Sequence, residues 1–149
     1  MKRLILFIYF IVFGNLAHQF EDSNIVIKNP IIKLNYSDAD IAAGYFRIEN
    51  NSDSTISFIA IKSDIADIQE IHEVILEDNI YKMRPIKSGL EIKPKSSLDF
   101  KPKSYHIMFY KIKKSFLPEE MVKAKLLFNS NIIIDVEFKV IVGNSHHSH

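Results

Sequence analysis

Four side chains of this sequence, two imidazoles and two thioethers, could act together: His72, Met83, His106 and Met108. They lie in Glu70-Ile71-His72-Glu73, in Tyr81-Lys82-Met83-Arg84-Pro85 and in His106-Ile107-Met108. With Met1 set aside as initiator, they take two of the three remaining methionines. Thioether sulfur is a soft donor and imidazole an intermediate one, and that mixture suits Cu(I). Zinc prefers thiolate, imidazole and carboxylate. The chain has no cysteine, which excludes a blue-copper electron-transfer site, a Cys-ligated centre, and a thiol–disulfide oxidoreductase. A site without thiolate also suits an oxidising compartment, where thiolates pass to disulfide or sulfenic acid.

Singly, the four residues have plainer readings. A histidine on a strand is usually a surface or satisfied polar residue, and a methionine usually fills a core. A second group, His146, His147 and His149, stands in the polar tail after Gly143. Imidazoles without thioether favour Cu(II), and would also take zinc or nickel; the plain alternative is a solvated tail with no role. If a leader is cut after Ala17, His18 becomes the first residue, and its amine and ring could chelate Cu(II).

The elements that must position these residues read as short β-rich runs between turns. Ile25 to Ile27 and Ile31 to Leu34 flank Pro30, Ala43 to Glu49 ends at Asn50-Asn51-Ser52-Asp53, and Thr55 to Ile61 is β-branched and aromatic. Ile68 to Leu76 alternates, Glu77-Asp78-Asn79 turns, and Ile80 to Arg84 returns. Leu90 to Ile92, Ser97 to Phe100, Tyr105 to Tyr110, Lys123 to Phe128 and Ile132 to Val142 follow. About nine such strands predict an all-β sandwich or barrel. Helical turns are weakly indicated at 63–70 and 117–123, and no internal repeat is evident. If Glu77 pairs with Ile80, Met83 falls opposite Val74, on the face of His72 and diagonal to it, within reach of long side chains. His106 and Met108 leave one face of their strand, so a hairpin and a third strand could bring all four together.

The chain of 149 residues, 47% apolar, can build one domain with its own core. Lys2 and Arg3, the apolar run Leu4 to Phe13 and a small residue at Ala17 read as a secretory signal peptide; Asn15 fits the cut imperfectly. The run is short for a spanning helix, although an uncleaved anchor is the alternative. The expected division is therefore a signal peptide at 1–17, a domain at 18–142 and a mobile tail at 143–149. Removing Lys2 and Arg3 from 19 basic groups leaves 17 against 18 acidic ones, a net charge near −1. Such a chain has no basic footprint for nucleic acid and no polybasic membrane patch.

The three segments resemble the PCuAC family of periplasmic copper chaperones. Its pattern is a His, ten residues, a Met, about twenty-one residues, a His, any residue and a Met. Here ten residues separate His72 from Met83, 22 separate Met83 from His106, and His106-Ile107-Met108 closes the pattern. The extra residue falls between Pro85 and Tyr105, where turns can absorb it. Asp78-Asn79, Lys101-Pro102 and Ala43-Gly44-Tyr45-Phe46 also match in kind, and the likeness runs over roughly residues 25 to 142. The resemblance implies a cupredoxin-like Greek-key β-sandwich with Cu(I) held near its surface. No catalytic constellation competes, so the chain is read as a periplasmic carrier, not an enzyme, monomeric and meeting the membrane only through partner proteins. The resemblance also implies delivery of copper to the CuA-bearing subunit of cytochrome c oxidase or to another copper chaperone. The rival readings are a periplasmic sandwich module for binding or assembly that holds no metal, and a copper-dependent enzyme built on His18.

Overall fold

The computed structural model describes residues 24–143. The expected signal peptide, His18 and the histidines at 146, 147 and 149 lie outside them. Ten strands follow in order: β1 Ile25–Leu34, β2 Ile41–Asn50, β3 Ile56–Lys62, β4 Ala66–Glu77, β5 Ile80–Ile86, β6 Leu90–Ile92, β7 Ser96–Phe100, β8 His106–Ile112, β9 Met121–Phe128 and β10 Ile133–Val142. A single 3-10 turn, Asn129–Asn131, joins the last two. Among the described residues no helix is long and apolar enough to cross a membrane.

The two helical turns considered above do not form. Residues 66–77 are one strand, and 117–120 are a turn before β9. Pairing on both edges decides the first case, since β4 has β5 on one side and β8 on the other. The two runs around Pro30 are likewise one strand. A bulge between Lys28 and Ile31, with Asn29 at φ 51°, takes up the residue that cannot donate.

The strands follow the path β5-β4-β8-β2-β1-β10-β9-β3-β6, and β7 pairs β2. All neighbours run antiparallel except β1 and β10. β2 is the corner of the sandwich. One of its edges holds β1; the other is shared by β8, along Ile41 to Gly44, and β7, along Phe46 to Asn50. Gly44 permits this, because a Cβ there would stand 3.0 Å from Phe109 Cε2 and 3.2 Å from Ile107 Cβ. The core is aromatic. Phe46 stacks on Phe100 at 4.4 Å and meets Phe58 and Phe138 edge-on at 5.9 and 5.6 Å. This is the all-β, cupredoxin-like sandwich expected.

One tetrapeptide, Lys-Pro-Lys-Ser, occurs at 93–96 and again at 101–104, on either side of β7. In both copies proline is followed by a lysine at positive φ, 53° at Lys95 and 61° at Lys103, as in turns that need a left-handed third residue. Both lysines are tied down. Lys95 Nζ donates to Asn51 O at 2.7 Å, and Lys103 Nζ lies 5.4 Å from the centre of the Tyr81 ring.

Candidate metal centre

The β4–β5 hairpin has the register read from the sequence: Glu77 pairs with Ile80, Val74 with Met83 and His72 with Pro85. Asp78 and Asn79 make the two-residue turn, both at positive φ (51° and 61°), the conformation that Asp and Asn tolerate. What the sequence did not reveal is that β8 lies on the other edge of β4, with His72 directly opposite His106 and Glu70 opposite Met108. Paired residues of an antiparallel ladder share a face. His72, His106, Met108 and Met83 therefore stand on one outer face of three adjacent strands. The two histidines form the central row, and the methionines flank it diagonally, Met83 toward the hairpin tip and Met108 toward the far end of β8.

The two imidazoles are buried, His72 6% and His106 5% exposed, and their ring centres are 5.7 Å apart. An ion bound about 2 Å from one nitrogen of each ring would set the centres about 5–6 Å apart, so the observed spacing fits a shared ion. Tyr110 lies 6.2 Å from the His72 ring and Tyr45 6.5 Å from the His106 ring, walling the pair on either side. Met83 is 62% exposed, and Met108 is half-buried.

Each ring has one nitrogen occupied. His72 Nε2 and Glu70 Oε2 are 2.9 Å apart; a carboxylate only accepts, so Nε2 carries the hydrogen. Nδ1 then bears the lone pair, and it is buried with no partner. His106 Nδ1 donates to Ser104 O at 3.1 Å, which leaves the lone pair on Nε2. Burial holds the His106 pKa below the ordinary histidine value; the Ser104 carbonyl works against this and the charge of His72 adds to it. Burial of His106 thus favours the neutral ring that a metal needs. Burial raises Tyr45 and Tyr110 above the usual phenol range, the nearby Glu70 charge adding to the rise at Tyr110.

Among the described residues no group of three or more His, Asp or Glu side chains is placed to hold an ion. The donors this face adds to the two imidazoles are the thioethers of Met83 and Met108, a set that favours a soft cation. Sequence reasoning missed Glu70, Ser104, Tyr45 and Tyr110. Glu70, two residues before His72, and Tyr110, two residues after Met108, left a signal, since residues i and i+2 of a strand share a face.

In fold the domain is similar to the copper-bound PCuAC domain from PmoF2, with a TM-score of 0.65 and 17% identity, over 80% of this chain and 93% of that one. It is also similar to CuI-DR1885 from Deinococcus radiodurans, with a TM-score of 0.59 and 17% identity, over 87% of each chain. In sequence it is 29% identical over 103 residues to the uncharacterized protein RP573 of Rickettsia prowazekii (strain Madrid E); the match spans 69% of this chain and 57% of the length of that relative. The family model for LpqE-like lipoproteins matches residues 25–140, although none of the 149 residues is a cysteine that could carry a thioether-linked lipid. That match takes in all of the sandwich but the last two residues of β10, with His72, His106, Met83 and Met108 inside it, and the chain belongs to the LpqE-like family.

Proposed function

We propose that this protein is a Cu(I) carrier that works outside the cytoplasm, with His72, Met83, His106 and Met108 as ligands. One observation carries the reading: two buried imidazoles stand opposite each other at 5.7 Å, each with a lone pair free, between two methionines of the same face. The fold relatives described as copper-bound and as CuI-loaded support it. Neutral thioethers and imidazoles suit an ion that is to be given away, because a partner can displace them one at a time and no thiolate locks the metal. The role is that of a carrier, not an enzyme. The acceptor is the CuA-bearing subunit of cytochrome c oxidase or another copper chaperone, met in the periplasm after removal of residues 1–17. His146, His147 and His149 form an independent Cu(II) site.

The test is an anaerobic Cu(I) titration of the exported chain against a chromophoric competitor, with and without residues 144–149. One tight equivalent is expected in both forms, lost in the double variant His72→Ala, His106→Ala. Deleting the tail should remove the tail's Cu(II) equivalent and leave the core site unchanged. A chain that binds no Cu(I), or a double variant that binds it unchanged, overturns the proposal and leaves a sandwich module that holds no metal.

A further inference from the structure

We infer that His72 takes the ion through Nδ1 and His106 through Nε2, and that Glu70 is the positioning residue that sets this asymmetry. The inference deepens the reading above and rests on it.

A neutral imidazole has one N–H and one lone pair, and whatever fixes the first fixes the second. Glu70 does so for His72. It sits two residues earlier on the same face of β4, and its carboxylate reaches along the strand to Nε2 at 2.9 Å. The contact is one-sided in burial: the Glu70 side chain is 43% exposed and that of His72 8%. The nitrogen left over, Nδ1, has no protein partner and no contact with solvent. A buried polar atom left unpaired is costly, and an ion bound at Nδ1 would remove that cost. On the facing ring the polarity is reversed. A backbone carbonyl, Ser104 O, takes Nδ1 and leaves Nε2 for the ion. One ring is thus held by a side chain and the other by the main chain. Only the first can be altered by substitution without moving the backbone.

The experiment uses the full exported chain labelled with 15N, as wild type, Glu70→Ala and Glu70→Gln, each with and without Cu(I) under reducing conditions. Long-range 1H–15N spectra report the protonation of every ring nitrogen, and a competitor titration reports affinity. Copper-free wild type should show His72 as the Nε2–H tautomer. Adding Cu(I) should shift Nδ1 of His72 and Nε2 of His106 and leave the His72 Nε2–H in place. Glu70→Ala should give mixed tautomers at His72 and lose about 10- to 100-fold in Cu(I) affinity, the range for partners that orient metal-ligating histidines. Glu70→Gln, whose amide oxygen also accepts, should restore the tautomer and most of the affinity; a purely charge-based role would not be rescued in this way. If Cu(I) instead shifts His72 Nε2 with loss of its hydrogen, or if Glu70→Ala binds as tightly as wild type or more tightly, then Glu70 only caps the empty ring and the inference fails while the carrier reading stands. If no ring nitrogen responds and no copper is retained, both fail.

Discussion

Met83 and the two histidines meet the solvent in opposite ways, and their substitutions should separate accordingly. Met83 stands largely in water on the outermost strand. Exposed substitutions of this kind usually move stability by no more than about 0.5 kcal/mol. Met83→Ala should therefore leave the urea midpoint of the copper-free protein almost unchanged while weakening Cu(I) much more than Cu(II). Denaturation curves and paired titrations check this, and equal losses for both ions would make the methionine a spectator. Asn50 is the opposite case. It is fully buried, and its amide donates to Ser54 O at 2.8 Å, Ile92 O at 3.0 Å and Lys93 O at 3.1 Å, while Oδ1 accepts from Ser52 N at 3.0 Å. Asn50→Ala strips partners from several of these groups at once, and each orphaned group costs about 1–3 kcal/mol. A loss of about 2–4 kcal/mol in denaturant unfolding is expected, with no change in copper stoichiometry.

The β4–β5 hairpin depends on register, because neighbouring residues of a strand face opposite ways. Lys82 and Met83 are such neighbours. Lys82 lies on the charged side, where it and Arg84 both pair with Glu77, and Met83 lies on the side of the histidines. Exchanging the two, Lys82→Met with Met83→Lys, keeps composition and turn but moves the thioether through the sheet. The Cu(I) affinity of the exchanged variant should fall to that of Met83→Ala or below, as a competitor titration would show. The hairpin was legible because everything that fixes it is local: a turn of Asp78 and Asn79 between alternating runs. The pairing of β4 with β8 was not, because residues 72 and 106 meet only once the chain between them has folded. The segment 63–70 misled for the related reason that its pattern suits a helical turn as well as a strand, and pairing on two edges decides it. At the site the residue types and spacing could be read, whereas the partners of the rings could not. Ser104 acts through its carbonyl, which no sequence pattern advertises.

Taken whole, the sandwich has a core that does not pass through the metal site. Phe46, Phe58, Phe100, Phe128 and Phe138 form it, while the histidines stand on the outer face of the sheet. The copper-free protein should therefore unfold in one cooperative calorimetric transition, and Cu(I) should raise it by mass action alone, about 2.7 kcal/mol at a free concentration 100 times Kd. In the double variant His72→Ala, His106→Ala the copper-free transition should fall, since both rings are buried, and Cu(I) should no longer move it. A copper-free wild type without a cooperative transition would identify the metal as structural.

The exposure of Met83 has a consequence in a different chemistry. A thioether in water is open to peroxide, which adds one oxygen to sulfur and turns a soft donor into a polar sulfoxide. Met108, half-buried between β4 and β2, is shielded from the same attack. Under mild peroxide, peptide mass spectrometry should find Met83 and the likewise exposed Met121 oxidised before Met108, with Cu(I) capacity falling in step with Met83 and recovering under methionine sulfoxide reductase. On the carrier reading proposed above, the strand that leaves this sulfur in water would thus also make Cu(I) capacity a reversible record of oxidation.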